Sequence, residues 1–274
     1  MTHVREIATV IANDADCDAR LLRLKAPAIA AAARPFQFVL VKVPGAGFLL
    51  RRPLSLFDAG GDEVALLVRP AGEGTARLCR LAPGESCDLT GPFGREFDAP
   101  EGSVFVAGGI GIAGVFFGLA AAARSGRKAE LVYGAQAAAQ LYAKRQIGEL
   151  KVDATFVTED GSSGRKGLAT DFIPGIPSKE AKLMSSALEE DLPPYNRTVI
   201  ACGSRPMYAA LRKLLGEDAR WYALMEERMA CGVGACRTCV VPVREPAGSY
   251  AAVCEEGPLV DAAAVDWDRL GEVI

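Results

Sequence analysis

Histidine is almost missing from this chain. His3 is the only one, and it stands at the N-terminus, where a mobile segment is expected. A Ser-His-Asp triad, a histidine general base and a His-rich zinc site are therefore excluded as the basis of an activity. There is no surplus of positive charge either. Lys and Arg number 31 against 34 Asp and Glu, for a net charge of −3. Such a balance offers no basic surface to a phosphate backbone, so nucleic acid is not an expected partner. The first dozen residues carry His3, Arg5 and Glu6 and no long apolar core, so they do not read as a signal peptide. Long charge-free runs are scarce, and the one candidate, residues 104–123, has the length of a membrane span and a Gly114/Gly118 spacing that can pack membrane helices. A buried strand, a glycine loop and a helix account for it better, because Gly108, Gly109 and Gly111 follow directly on the strand-like residues 104–107. The expectation is a soluble cytoplasmic protein without a membrane span.

What remains is ordinary globular material in quantity. Half of the 274 residues are hydrophobic and 24% are charged, which excludes a disordered chain and allows one to three domains. Residues 1–100 alternate as strands do, for example at 36–43 and 63–69. Turn signals punctuate them at Gly60-Gly61, Gly72 to Gly74, Pro83-Gly84 and Gly91-Pro92, the rhythm of a small antiparallel barrel. Over residues 101–222 apolar strand-like runs (104–107, 129–133, 154–158, 198–202) alternate with Ala- or Leu-rich helical segments, which predicts a parallel sheet with crossover helices. A short cysteine-rich unit follows over 223–274. The polar interval 176–196 reads as a surface insertion with a short helix at 181–190. The fold class is thus multidomain, β followed by α/β, with a small C-terminal cysteine domain.

Four of the eight cysteines carry the strongest signal. Cys231, Cys236, Cys239 and Cys254 are spaced C-x4-C-x2-C-x14-C, and the first intervals are those with which plant-type proteins hold a 2Fe-2S cluster through four thiolates. Gly232 and Gly234 let the backbone fold tightly and aim N–H groups at cluster sulfurs. A four-cysteine zinc site is the rival, but zinc sites favour paired short spacings. Cys17, Cys79 and Cys87 read as small buried or half-buried side chains. Cys202 differs in preceding Gly203 at a strand end.

Gly109-Ile-Gly-Ile-Ala-Gly114 matches G-x-G-x-x-G between a strand and a helix, where backbone can approach a pyrophosphate. The ordinary dinucleotide fingerprint also needs an acid about twenty residues on. The only one there is Glu130, at the start of the next strand and not at its end.

Taken in order, Arg52-Pro-Leu-Ser55, Gly74-Thr75, Gly91-Pro-Phe-Gly94, Gly108-Gly-Ile-Gly111, Thr158-Glu-Asp-Gly161, Cys202-Gly203, Pro206-Met207 and Glu226-Glu-Arg-Met-Ala-Cys-Gly-Val-Gly-Ala-Cys236 resemble the ferredoxin-NADP reductase superfamily. Within it they resemble the electron transfer subunit of class 1B dihydroorotate dehydrogenase, over nearly the whole chain. The resemblance implies an FAD-binding barrel (1–100), an NAD-binding α/β domain (101–222) and a 2Fe-2S domain (223–274). It implies that Arg52, Pro53, Leu54 and Ser55 bind FAD, with Arg52 near the pyrophosphate and Ser55 near the isoalloxazine. Leu67, Val68 and Arg69 would line that site, and Gly74 and Thr75 would offer backbone N–H groups to the FAD phosphate. Gly109, Gly111, Gly203 and Met207 would border NAD. Val68 stands where many members carry an aromatic residue. No acid-base residue is called for. The implied partner is an FMN-containing catalytic subunit, in a heterotetramer of two chains of each kind. The alternative is a flavin iron-sulfur reductase subunit serving ferredoxin, polysulfide or glutamate synthase with NADPH. The absence of Arg or Lys between Gly134 and Lys144 speaks for NADH. A non-catalytic zinc-binding subunit is a third reading.

Overall fold

The computed structural model describes residues 3–45, 47–177 and 195–272. The first part of the chain builds strands β1 (Val4–Asp16), β2 (Ala19–Lys25), β3 (Phe38–Lys42), β4 (Arg52–Ser55), β5 (Asp58–Gly60), β6 (Glu63–Val68) and β7 (Ser86–Phe93), with short helices α1 (Pro27–Ala32) and α2 (Glu73–Leu78). The strands form one antiparallel sheet in the order β4-β3-β7-β1-β2-β6-β5, curled as a half-barrel around Val39, Leu66, Leu78 and Leu89. Alternation explains it: successive side chains of a strand face opposite ways, so β1 keeps Ala8 and Val10 inside and turns Arg5, Ile7 and Thr9 outward. Two turn signals behave otherwise. Gly72 caps the start of α2 and does not link strands. Gly91-Pro92 lies inside β7, where Gly91 pairs with Val4 at the last register position of β1. A proline is tolerated there because the ladder with β1 ends at that point.

His3 is not loose. Its Nδ1 lies 3.0 Å from the Pro92 carbonyl and its ring 4.4 Å from that of Phe93.

The second part builds β8 (Ser103–Gly108), α3 (Ile112–Arg124), β9 (Ala129–Ala135), α4 (Lys144–Leu150), β10 (Asp153–Thr158), β11 (Arg165–Lys166), β12 (Val199–Cys202), α5 (Arg205–Leu215) and β13 (Trp221–Leu224). Their sheet runs β11-β10-β9-β8-β12-β13, all parallel. Central strands buried on both faces read as continuous apolar runs, as Val104 to Ala107 and Val199 to Cys202 do. Helix α3 is apolar all round because it lies between that sheet and the half-barrel. Gly118 has no room for a Cβ against the ring of Phe36, and Phe57 stacks on Phe116 at 4.0 Å. The charge-free run and its small-residue spacing thus serve contact between the two parts of the chain, and no helix among the described residues is long and apolar enough to cross a membrane. Any helix at 181–190 lies outside the described residues.

The last part leaves the sheet after β13, forms the hairpin β14 (Val240–Pro242) and β15 (Tyr250–Ala252), the short helix α6 (Val253–Glu256) and β16 (Leu259–Asp261). β16 returns to pair antiparallel with β13, Leu224 opposite Leu259. The cysteine segment is an excursion from one edge of the parallel sheet.

Candidate functional site

The dinucleotide-type cleft lies at the carboxyl ends of β8, β9 and β12, where open α/β sheets leave a crevice. It measures about 730 Å³, and Gly109, Gly111, Gly203 and Met207 all line it. Packing fixes its floor. A Cβ on Gly111 would collide with the Cys202 carbonyl, and one on Gly203 would meet the Met207 thioether. The two strand ends therefore approach as closely as backbone allows. Tyr133, buried under the loop, donates from its hydroxyl to the Gly109 carbonyl at 2.9 Å and accepts from the Tyr142 amide at 2.8 Å. No motif in the sequence singled out Tyr133.

One further residue, Glu226, was legible only as a letter within a motif. Glu226 opens onto the cleft from the segment after β13, and the buried Cys202 thiol lies 3.8 Å from its Oε1. The surrounding protein raises the Glu226 carboxyl, opposed by the Cys202 contact and the charge of Arg69. Burial, then the charge of Glu226, lifts Cys202 well above the ordinary thiol range, so it stays protonated and donates. Arg69, at the end of β6, lines the same cleft.

The flavin-type residues gather on β4 and at the start of α2. Arg52 to Ser55 are all half-buried on an edge strand. The Arg52 guanidinium lies where a Cβ on Gly74 would sit, 2.7 Å from Nε, and its Nη1 donates to the Leu50 carbonyl at 2.6 Å. Its neighbour Arg51 is held by Asp88 at 3.0 Å, while Arg52 has no ion pair among the described residues. A half-buried guanidinium without a carboxylate, beside a glycine-opened helix start, suits a phosphate oxygen. Thr75 spends its hydroxyl locally, accepting from the Ala71 and Gly72 amides at 2.9 and 3.1 Å. Leu67 and Val68 are buried in the two cores flanking β6, so a ligand would meet them through backbone. Val68 fills the barrel where an aromatic residue would have to point out.

The four spaced cysteines converge as two touching pairs, Cys231 with Cys236 and Cys239 with Cys254. Amides surround them: Val233 and Cys236 donate to the Cys231 sulfur at 3.4 Å, and Gly234 donates to that of Cys254 at 3.1 Å. Gly232 and Gly234 hold φ of +75° and +73°, values that strain any residue with a side chain. Hydrogen bonds from Thr238 and Cys231 draw Cys236 down to about 6, whereas burial and the Cys239 thiol push Cys254 up to about 12. Two adjacent thiol pairs fit a two-iron cluster, in which each iron takes two thiolates. None of the eight cysteines forms a disulfide.

The three regions are contiguous. Gly232 packs against Leu40 of β3 and Phe93 of β7, and Leu40 pairs with Pro53 of β4.

A family model described as the iron-sulfur cluster binding domain of dihydroorotate dehydrogenase B matches residues 226–266. The chain is 37% identical over 243 residues to the dihydroorotate dehydrogenase B (NAD+) electron transfer subunit of Bacillus caldolyticus, covering 85% of this chain and 86% of that protein. The corresponding subunit of Listeria monocytogenes is 31% identical over 238 residues, covering 84% and 87%. Among solved structures, a chain of an NADH-dependent reduced ferredoxin-NADP oxidoreductase shares the fold, with a TM-score of 0.78 at 24% identity over 97% of this chain and 92% of that one. A cytochrome P450 reductase from Amycolatopsis gives a TM-score of 0.59 at 25% identity, covering 80% and 69%. The chain belongs to the family of dihydroorotate dehydrogenase B (NAD+) electron transfer subunits.

Proposed function

We propose that this chain carries electrons from the FMN of a dihydroorotate-oxidising partner subunit, through a 2Fe-2S cluster and FAD, to NAD+. The observation that carries the reading is the contiguity of three sites of different chemistry: the cysteine loop touches β3 through Gly232, β3 pairs with the Arg52–Ser55 strand, and Arg69 at the end of β6 lines the dinucleotide cleft. FAD supplies what the chain lacks, exchange of a hydride on one side and of single electrons on the other. The chain's own residues bind and orient. Arg52 would take a pyrophosphate oxygen, with the Gly74 and Thr75 amides beside it, and Pro53, Leu54 and Ser55 would flank the ring system with the backbone of Leu67, Val68 and Arg69. Gly109, Gly111, Gly203 and Met207 would border the nicotinamide nucleotide. The protonated Cys202 thiol, buried behind the cleft, donates to Glu226, which opens onto it. Cys231 and Cys236 would hold one iron, Cys239 and Cys254 the other. The poverty in histidine agrees with a reaction that asks no side chain for proton transfer.

A heterotetramer of two chains of each kind and a place in the cytoplasm complete the reading.

The purified holo-chain should oxidise NADH with ferricyanide, give a low-temperature spin-half signal after dithionite reduction, and leave dihydroorotate untouched until its partner is added. Dihydroorotate oxidation by the chain alone would overturn the division of labour. No observation favours the ferredoxin, polysulfide or glutamate synthase alternative.

A further inference from the structure

The dinucleotide fingerprint of this chain lacks its acid. In the usual arrangement a carboxylate at the end of the second strand accepts a hydrogen bond from the adenosine ribose. Here β9 ends in Gly134-Ala135, with Gln136 next, and the acid near it in sequence, Glu130, lies at the opposite end of that strand, paired with Arg197 at 2.7 Å. The structure supplies a carboxylate from elsewhere. The next strand, β10, runs parallel to β9 with Thr158 opposite Ala135. One residue on, the Glu159 amide donates to the Ala135 carbonyl at 3.1 Å and the Asp160 amide to that of Gln136 at 3.2 Å. Glu159 is thereby tied to the end of the second strand, and it lines the cleft.

The tandem acids are not equivalent. The Asp160 carboxylate accepts from the Ser162 amide and hydroxyl at 2.9 and 2.6 Å, and it does not line the cleft. Glu159 has no ion pair among the described residues. The cations on the neighbouring segments do not line the cleft. Arg165 lies over the Phe172 ring at 5.1 Å, Lys144 bonds the Ser163 hydroxyl at 3.3 Å, and the stem of Lys166 packs against Gly161. Among the described residues lining the cleft the only cation is Arg69, which shares its part of the wall with Tyr142 and Glu226.

We propose that Glu159 is the residue that selects the nucleotide: its carboxylate accepts from the 2′-hydroxyl of the adenosine ribose of NAD(H) and repels the 2′-phosphate of NADP(H). The assignment rests on the cleft being the dinucleotide site. A carboxylate accepting from a hydroxyl gains a charge-assisted bond, while the same carboxylate facing a phosphate dianion is opposed by like charge with no cation to offset it.

The test uses the flavin- and cluster-loaded chain with Glu159→Gln, Glu159→Ala and Asp160→Asn. Calorimetry reads the binding of 5′-AMP against adenosine 2′,5′-bisphosphate, and steady-state turnover with ferricyanide reads NADH against NADPH. The expected wild-type preference for the unphosphorylated ribose falls at least tenfold in both Glu159 variants, in binding and in kcat/KM alike, and stays within threefold in Asp160→Asn. Glu159 variants that keep the wild-type ratio, with NADH turnover intact, overturn the assignment and leave the cleft reading standing. An equal fall in Asp160→Asn overturns it as well, since diffuse charge would then suffice. A wild-type chain that binds neither adenosine probe and turns over neither nucleotide overturns the cleft reading and this assignment with it.

Discussion

The dinucleotide cleft and the cysteine loop solve opposite problems. The cleft is made by backbone: strand ends of a parallel sheet, brought together by close packing at Gly111 and Gly203, with no side-chain ligand needed to hold its shape. The cysteine segment 226–239 contains no helix or strand, and between Cys231 and Cys236 its hydrogen bonds are amide-to-sulfur bonds. One region is shaped before its ligand arrives; the other is shaped for its ligand and depends on it, since binding free energy to a metal site is also folding free energy. Carriers can thus be loaded independently on one chain.

That contrast can be broken in graded ways. The largest effect is expected from Cys239→Ser, at a buried position. Electron transfer to the partner should fall at least a hundredfold and the spin-half signal should vanish, while NADH oxidation with ferricyanide stays within threefold of wild type. A parallel loss of both activities would show that the regions are not separable. Gly111→Ala is the converse: its methyl group meets the Cys202 carbonyl, and overpacking of about 1–3 kcal/mol corresponds to a roughly ten- to hundredfold loss of NADH turnover with the cluster signal retained. Arg52→Ala removes a charge-assisted bond of about 1.5–3 kcal/mol and should weaken FAD binding about ten- to hundredfold, measured by flavin fluorescence on dilution.

The smallest effect tests the cleft floor by pH. The Glu226 carboxyl is raised by its surroundings, so the stability tied to its protonated form is complete below the unfolded-state pKa of about 4.3 and is lost as pH rises through the higher folded-state value. Glu226→Gln should therefore melt above wild type at pH 8, with the gain shrinking toward zero near pH 4. A gain independent of pH would assign the change to packing.

The parallel sheet was legible because its strands are buried on both faces and read as unbroken apolar runs, and the cysteine spacing was legible because a cluster loop is local in sequence. The hairpin β14–β15 and the return strand β16 were not, being three residues each. The turn signal at Gly91-Pro92 misled because proline and glycine also sit where a strand's ladder runs out. Glu159, Glu226 and Tyr133 escaped for one reason: each acquires its place from a neighbour distant in sequence. Glu130 was correctly put at the start of β9, and the acid that lines the cleft beside the other end of β9, Glu159, follows the adjacent strand.

The return of β16 to β13 has an evolutionary consequence. Leu224 faces Leu259 across a ladder, and the Met225 amide donates to the Pro258 carbonyl at 2.8 Å, so the entry and exit of the cysteine segment are hydrogen-bonded neighbours. A tight reverse turn could join them and leave the seven-stranded sheet whole. The redox module is therefore a cassette, one that a lineage could acquire, exchange or discard in a single genetic event without rebuilding the scaffold that carries it.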